Sequence, residues 1–318
     1  MSKPFASQAD LVEKKATFAE LAKGVYAYTT EGDPNTGIIV GPDGVMVIDA
    51  RATPVLAREL MEVIRTVTDK PVTHVLLTHY HAVRVMGASA YGAHTIIASR
   101  KTRDLIRERG AQDFKSEVDR FPRLFQAVET VPGLTWPTVT FEDEMTVWFG
   151  DREIRIWHPG AGHTAGDTVA WLPKEKVLFS GDLVEEGATP YCGDAHLREW
   201  PRTLEKIAAL GPRKLVPGRG DAMTTPRASL QAIQATRSFI GDMTAEVRKG
   251  VRAKRSLKQV FDATHARLKP AYGGWVIFDH CLPFNVSRAY DEAMGVSHPR
   301  IWTAKRDKEM WADLQKLI

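Results

Sequence analysis

The first part of the chain alternates short apolar runs with turn residues. Three β-prone apolar runs cover residues 25–29, 37–40 and 45–49. The last two flank Gly41-Pro42-Asp43-Gly44, a strong turn sequence, so the pattern predicts a β-hairpin. A further apolar run, His74–Leu77, predicts a short buried strand that ends in Thr78-His79-Tyr80-His81.

Longer segments carry apolar residues at helical spacing. Thr53 precedes Pro54, which predicts a helix over residues 54–66 with Thr53 as its N-cap. The same spacing predicts helices over residues 100–109, 114–128, 200–210, 227–249, 256–268, 286–294 and 305–317. Strands are predicted at 138–141, 145–149, 153–157, 168–172, 176–180 and 214–216. We therefore expect a mixed α/β domain over residues 18–225 and a helical C-terminal extension, residues 226–318, packed on it.

Composition narrows the class of protein. With 43% hydrophobic and 26% charged residues among 318, the chain is typical of a globular protein. A net charge of +4 without long like-charge runs argues against a nucleic-acid partner. We expect no membrane span and no signal peptide, and hence a cytoplasmic location. Two cysteines, Cys192 and Cys281, without CxxC spacing support neither a cysteine zinc site nor a disulfide framework.

Side chains that bind metals occur at the ends of predicted strands. They lie in His79-Tyr80-His81, in Gly162-His163-Thr164 and in Ser180-Gly181-Asp182. The His-x-His spacing allows two imidazoles to reach one ion, and a third imidazole with a carboxylate would complete a tetrahedral site. The three segments together therefore predict a metal site.

The order of these motifs resembles the metallo-β-lactamase superfamily over roughly residues 25–220. The matching elements are the hairpin ending in Val47-Ile48-Asp49 and the motifs THYHAVR, GHTAGD and LFSGD. The resemblance implies an α/β (α+β) fold, a four-layer αββα sandwich to which the chain adds its C-terminal helical arm. It also implies a first metal site of His79, His81 and His163, with Asp182 in the place of the carboxylate that bridges two metals.

The sequence departs from the family at its second metal site. The family motif H-x-H-x-D-H ends here in Val83 and Arg84, and Arg219 stands where the family has a later histidine. The chain keeps the three histidines of the first metal site and lacks all three of these ligands of the second. We therefore predict a single three-histidine site. We hypothesise that Arg84 and Arg219 replace the second ion by holding Asp182 or an anionic oxygen of the substrate.

These residues predict a zinc-dependent hydrolase of a small molecule, anionic ones included: an ester, lactone, thioester or activated aryl compound. A three-histidine Zn²⁺ lowers the pKa of bound water to about 7, which supplies a hydroxide nucleophile. We expect Asp182 to orient that water or to ligate the metal, while Arg84 and Arg219 stabilise the developing anion. Asp49 and Asp167 are expected to accept hydrogen bonds from the ligand imidazoles.

Three further residues are candidate substrate contacts. Tyr80 lies between the two histidines, as a packed rim residue or a substrate contact. His280 and Asn285 belong to a segment, 278–285, that mixes polar and aromatic residues where a helix is predicted to begin. This segment either reaches over the cleft or forms a buried junction between the two parts of the chain.

Two other functions stay open from the sequence. The same histidines can hold iron for oxygen or redox chemistry without hydrolysis. Alternatively, the chain is a non-catalytic binding protein on a degenerate fold, in which Arg84 only neutralises Asp182. The sequence leaves the substrate and the oligomeric state undecided, a homodimer included.

Overall fold

Two β-sheets form the centre of the computed structural model, which describes residues 5–315. The first sheet has the order β1 (Ala16–Ala22), β2 (Val25–Thr30), β3 (Thr36–Val40), β4 (Val45–Ile48), β5 (Val72–Leu76), β6 (Thr95–Ser99) and β7 (Val139–Phe141). The second has the order β12 (Lys214–Val216), β11 (Val177–Phe179), β10 (Val169–Leu172), β9 (Arg152–Trp157) and β8 (Glu144–Phe149). Strands β4 to β7 pair in parallel, as do β11 and β12, and all other pairs are antiparallel.

Helices precede, connect and follow these strands. They are α1 (Pro54–Arg65), α2 (Ala82–Val85), α3 (Arg100–Leu105), α4 (Ala111–Arg120), α5 (Trp200–Ala209), α6 (Pro226–Arg252), α7 (Leu257–Tyr272), α8 (Phe278–Ala293) and α9 (Ala304–Leu314). A π-helical turn, Ile106–Gly110, joins α3 to α4. Within residues 5–315, no helix is long and apolar enough to cross a membrane.

The alternation of side chains along β4 divides the core into layers. Val47 packs in the cluster that contains Leu60 of α1, whereas Met46 and Ile48 pack in the cluster that contains Phe179 of β11. Successive residues of a strand point to opposite faces, so one face of the first sheet meets helices and the other meets the second sheet.

A third buried cluster covers the outer face of the second sheet. Leu178 of β11 packs there with Ile207 of α5 and Phe239 of α6. Helix, sheet, sheet and helix therefore follow one another, which confirms the predicted four-layer αββα sandwich and its C-terminal helices. The domain boundary at residue 225 stays a prediction, although Thr225 is the N-cap of α6.

The local predictions around β4 are confirmed in detail. Val40 lies opposite Val45 in the β3–β4 hairpin, and Gly41 N donates to Gly44 O at 2.9 Å. Thr53 caps α1, because its Oγ1 accepts a hydrogen bond from Leu56 N at 3.4 Å. Turn and capping residues thus fixed these boundaries.

Two predicted helices are wrong in extent. The helix predicted over 114–128 ends at Arg120, because Phe121 precedes Pro122 and takes φ −127° and ψ 63°, outside the helical region. The helix predicted over 286–294 begins eight residues earlier, at Phe278, and contains Pro283. Segment 278–285 is therefore part of α8, and its first residues, Phe278, Asp279 and His280, line a cavity at the surface. Residues 316 and 317 of the last predicted helix lie outside the described residues.

Candidate metal centre

The three histidines lie on loops that leave the strands of both sheets. His79 and His81 follow β5, and His81 is the N-cap of α2. His163 lies on the loop between β9 and β10, and Asp182 on a 3-10 turn directly after β11. Rigid strands thus position every one of these side chains.

The imidazoles of His79, His81 and His163 converge. They are 1%, 2% and 1% exposed, and one nitrogen of each lies within 4.8 Å of the others. His81 Nδ1 is 2.9 Å from His163 Nε2. In the described part of the chain, His79 Nε2 is buried without a hydrogen-bond partner, a costly state that a bound cation would relieve.

The outward nitrogen of each imidazole is held by a neighbour. Thr78 Oγ1 is 3.0 Å from His79 Nδ1, Asp194 Oδ2 is 3.3 Å from His81 Nε2, and the carbonyl of Tyr191 accepts from His163 Nδ1 at 2.8 Å. Such contacts fix the tautomer and turn the other nitrogen's lone pair inward. Three nitrogen donors in this arrangement fit the ligand set that Zn²⁺ prefers.

The protonation of these histidines suits cation binding. Burial holds the pKa of His79 well below its usual value and lowers the pKa of His163 to about 3. Burial also acts to lower the pKa of His81, but the charges of Asp113 and Asp194 outweigh it and raise the pKa to about 9. Two imidazoles are therefore neutral at pH 7, and cation binding at His81 would release a proton.

Asp182 lies between two arginines and the imidazoles. Arg84 Nη2 donates to Oδ1, and Arg219 Nη1 donates to Oδ2 at 3.1 Å. Oδ2 is 3.7 Å from His79 Nε2 and 3.6 Å from His163 Nε2. Burial opposes ionisation of Asp182, but Arg84 and Arg219 hold its pKa well below the usual range, so the group is a carboxylate.

Backbone acceptors fix the first of these arginines. Arg84 is 1% exposed and donates to the carbonyls of Asn35 at 2.9 Å and Gly218 at 2.7 Å. A Cβ at Gly218 would collide with Asp182 Oδ1 and approach Arg84 Nη2 to 3.0 Å. The glycine therefore gives this ion pair its room.

The prediction that two aspartates accept hydrogen bonds from the ligand imidazoles is wrong, because each aspartate bonds to a threonine instead. Asp49 accepts from Thr78 N and Oγ1, both at 2.9 Å, and influences His79 through that threonine. Asp167 accepts from Thr164 N at 3.0 Å and from its Oγ1 at 2.7 Å. It fixes the turn that carries His163, whose own Nδ1 is satisfied by a backbone carbonyl.

Several acidic residues around the site were missed by the sequence interpretation. Asp194 connects His81 to Arg109, whose Nη1 donates to Oδ1 at 2.9 Å. Glu185 lies 3.2 Å from Arg219 Nη1, and burial together with the Asp182 charge raises its pKa to about 8. No motif marks either residue, since each acts through contacts distant in the sequence.

The start of α2 is fixed by two more carboxylates that carry no sequence signal. Asp113 Oδ2 accepts from Ala82 N at 2.7 Å, and Glu117 Oε2 accepts from Val83 N at 2.8 Å. Carboxylates are favourable at a helix N-terminus, where backbone N–H groups lack partners. Helix α4 thus supports the loop that carries the two neighbouring ligands.

Tyr80 and Asn285 do not lie where a substrate contact requires. Tyr80 is 2% exposed, its ring lies 4.5 Å from that of His81, and its hydroxyl bonds to Asp194. Asn285 is fully buried; it accepts from Cys192 N at 2.7 Å and donates to the carbonyl of Pro190 at 2.8 Å. We correct both assignments: Tyr80 packs behind a ligand, and Asn285 fixes the loop that supplies the Tyr191 carbonyl.

Asn285→Ala is expected to destabilise the fold and leave substrate affinity unchanged. Removing the amide leaves the N–H of Cys192 buried without its acceptor, at about 1–3 kcal/mol, and leaves the carbonyl of Pro190 with the weak thiol donor of Cys192 at 3.5 Å. Urea unfolding measures the stability, and KM for a hydrolysed ester measures affinity. A variant of normal stability with a raised KM would return Asn285 to the substrate site.

Asp194→Asn is expected to weaken metal binding without abolishing it. Replacing a carboxylate that orients a ligand imidazole typically costs about 10–100-fold in metal affinity. Competition with a chelator measures the affinity, and Asp104→Asn, at a half-exposed position where the side chain pairs with Arg107, serves as the control. Equal affinities of the two variants would mean that Asp194 does not support His81.

Comparison with known proteins identifies the family to which this sequence is similar. The family model of the metallo-β-lactamase superfamily matches residues 29–219. A type 2 metallo-β-lactamase of Bacillus cereus is 25% identical over 217 residues, which cover 64% of this chain and 77% of that protein. The type 2 enzyme of Bacteroides fragilis is 26% identical over 220 residues, or 64% and 79% of the two chains.

Solved structures show the same fold at lower identity. A metallo-β-lactamase from Pontibacter korlensis superposes with a TM-score of 0.58 at 22% identity, covering 71% of this chain and 99% of that one. The DIM-1 metallo-β-lactamase, in a crystal exposed to ceftazidime, gives 0.55 at 18% identity, covering 72% and 99%. The chain belongs to the metallo-β-lactamase superfamily.

Proposed function

We propose that this protein is a zinc-dependent hydrolase of a small molecule and uses one metal ion. The observation that carries the proposal is the convergence of three buried imidazoles, each held from outside, of which one has an inner nitrogen without a hydrogen-bond partner among residues 5–315. A Zn²⁺ ion bound there would act as a Lewis acid and lower the pKa of a water molecule to about 7.

The proposal of a single ion rests on the arginine pair. Arg84 and Arg219 occupy the positions of two family ligands for a second ion, and both pair with Asp182. Val83 with these two arginines carries a formal charge of +2, against +1 for a second Zn²⁺ with its aspartate. The cleft therefore stays electropositive without a second cation.

Asp182 and Arg219 would then have separate roles in the reaction. Asp182, kept ionised by its arginines, would accept a hydrogen bond from the attacking water and orient it. Arg219 lines the cavity beside the imidazoles and would stabilise negative charge that develops on the substrate. Esters, lactones, thioesters and activated aryl compounds need only these functions, whereas phosphodiesters usually require two metals.

Metal analysis and an activity screen test the proposal together. Protein purified without added metal is analysed for zinc and iron, stripped with a chelator, and reloaded with each metal in turn. Zinc-loaded protein is expected to hydrolyse at least one compound in a panel of esters, lactones, thioesters and activated aryl compounds. Iron as the native metal without hydrolysis would favour redox chemistry, and no metal at all would favour a binding protein.

A further inference from the structure

Two cavities lie in front of the imidazoles, one behind the other. The inner cavity, of about 10 Å³, has room for roughly one water molecule and is lined by His81 and His163. The outer cavity, of about 320 Å³, opens to the surface. Phe121, Arg219 and Ile277 line both cavities, so these three side chains form the wall between them. The inner cavity is too small for an ester or a lactone, and the outer cavity is the larger space that adjoins it across this wall.

The charged side chains of the outer cavity already have partners or are screened by water. Three cations and three acids line it: Lys14, Arg123, Arg219, Asp10, Asp33 and Asp279. Arg123 pairs with both Asp33 and Asp10, and Lys14 lies 3.3 Å from Asp10. Arg219 is held by the carboxylates described above, and Asp279 is 70% exposed. The cavity therefore offers no countercharge to an ionised ligand.

The uncharged side chains of the outer cavity are apolar apart from one hydroxyl, of Ser7, and one imidazole, of His280. His280 is 1% exposed, and both its ring nitrogens are buried without a hydrogen-bond partner among residues 5–315. Burial holds the pKa of His280 well below its usual value, so the ring is neutral and offers one donor and one acceptor. Unsatisfied buried polar groups are costly, and a ligand with a polar group of its own would relieve this cost.

Ile277, in the wall between the cavities, has an unusual backbone conformation. Its φ of 57° and ψ of 17° lie in the left-handed region, which is unfavourable for a β-branched residue. Two backbone hydrogen bonds fix the residue before it: Val276 N donates to Gly187 O at 2.9 Å, and Thr189 N donates to Val276 O at 3.0 Å. Strain of this kind persists where the surrounding structure enforces it, and it is concentrated at ligand sites.

We propose that the outer cavity binds an uncharged, mainly apolar part of the substrate that carries a hydrogen-bonding group for His280, and that Ile277 limits which group of the substrate passes to the metal centre. An ion bound there would lose its water without gaining a countercharge. This assignment rests on the proposed function, because it puts the body of the substrate in the outer cavity and its reactive bond at the metal. The segment before α8 and the start of α8 would thereby determine specificity.

Three probes of nearly equal shape test the class of ligand: benzamide, which is neutral, benzoate, an anion, and benzamidine, a cation at pH 7. The metal is removed first, because a bound cation would itself attract benzoate. Calorimetry is expected to show benzamide bound at least about 10-fold more tightly than either ion, since neither ion finds a countercharge. Equal or tighter binding of an ion would overturn the proposal, and so would the absence of benzamide binding at millimolar concentration.

His280→Phe tests the hydrogen-bonding group. The variant keeps an aromatic ring beside Phe121 and Phe284, whose ring centroids lie 4.6 Å and 5.6 Å from that of His280, and it removes both nitrogens. Its affinity for benzamide should fall by about 2- to 10-fold, the contribution of one neutral hydrogen bond. The exposed His94→Phe should bind benzamide as the wild type does. Unchanged affinity in His280→Phe would exclude His280 from the site.

The thiol of Cys281 reports on the wall, because it lines the inner cavity and is 1% exposed. Ile277→Gly suits the positive φ and removes the side chain between the cavities, so iodoacetamide should alkylate Cys281 at least about 10-fold faster in the metal-free variant. Leu124→Ala, which enlarges only the outer cavity, should stay within about 2-fold of the wild type. Peptide mass spectrometry locates the label, and an unchanged rate at Cys281 would exclude Ile277 as the constriction.

Cys192 is the internal control for this measurement, because it is fully buried and lines neither cavity. It should stay unlabelled while Cys281 reacts. If both thiols react together, Ile277→Gly opens the fold as a whole, and Ile277→Ala, which shortens the side chain without freeing the backbone, decides in its place.

Ester kinetics separate this proposal from the hydrolase itself. If the protein hydrolyses esters, Ile277→Gly should raise kcat/KM for a pivalate relative to the acetate of the same alcohol by at least about 10-fold. An unchanged ratio would overturn the role of Ile277. A wild type that prefers benzamide but hydrolyses nothing would refute the hydrolase alone, whereas hydrolysis by a protein that binds benzoate as tightly as benzamide would refute only the assignment of the outer cavity.

Discussion

His163→Ala is expected to abolish metal binding at neutral pH and to lower kcat/KM by more than about 10³-fold. Loss of one oxyanion donor in an enzyme costs about 10²–10³-fold, and loss of a metal ligand removes the electrophile itself. The variant leaves two imidazoles, and Asp182 is a weakened substitute ligand because each of its oxygens already accepts a hydrogen bond from an arginine. Metal analysis and steady-state kinetics on the same preparation give both values.

His94→Ala provides the control for this experiment. His94 is exposed and lies outside the metal centre, so its removal should leave the metal content and kcat/KM unchanged. If His163→Ala keeps a full equivalent of metal, the three-histidine site is wrong. If it loses the metal but keeps its activity, the site is real and its catalytic role is wrong.

Arg84→Met is expected to destabilise the metal-free protein by about 3–5 kcal/mol. Removing one partner of a buried ion pair costs about that much; here it leaves Asp182 with one of its two arginines and removes the cation that lies 3.5 Å from Asp49. The carbonyl of Asn35 loses its arginine donor as well, and the carbonyl of Gly218 keeps only the backbone N–H of Asn35, at 2.8 Å. Equilibrium unfolding in urea without metal measures the change, since a bound ion would add its own stabilisation.

A second substitution separates this electrostatic effect from lost packing. In the double variant Arg84→Met with Asp182→Asn, the buried charge is neutral, so the loss should be smaller than the sum of the two single losses. The exposed Arg100→Met should change the stability by less than about 0.5 kcal/mol. A loss below 1 kcal/mol for Arg84→Met would show that Arg84 does not compensate Asp182.

Much of the fold follows from local patterns in the sequence. The turn at residues 41–44, the cap at Thr53 and the alternating apolar strands predicted elements that the structure contains. The helix that ends at Arg120 was overextended, although Pro122 carried the signal that Phe121 leaves the helical region. That error concealed the position of Arg120 at the end of α4, where it lines the small cavity beside His81 and His163.

The site was predictable only where a motif marks it. The histidines and the Asp182 position stand in short recognisable segments, whereas Asp194 reaches His81 from 113 residues away and in an unremarkable loop. Asn285 shows the converse error: an unusual polar residue suggested a ligand contact, but its amide satisfies backbone groups of another loop. Side-chain partners of this kind depend on tertiary packing, which periodicity does not encode.

The arginine pair gives the metal centre its particular character. Arg84 reaches Asp182 from α2 and Arg219 from the segment after β12, so two separate elements converge on one carboxylate. We therefore predict that the space beside Asp182, where the two guanidinium groups lie, takes up no second cation.

Native mass spectrometry during a zinc titration tests that statement most directly. We expect the wild-type chain to take up one zinc ion and further zinc to add only weak, non-saturating adducts. A second ion that binds stoichiometrically to the wild type would contradict it, because no room would then remain for Arg84 and Arg219 in the roles assigned to them.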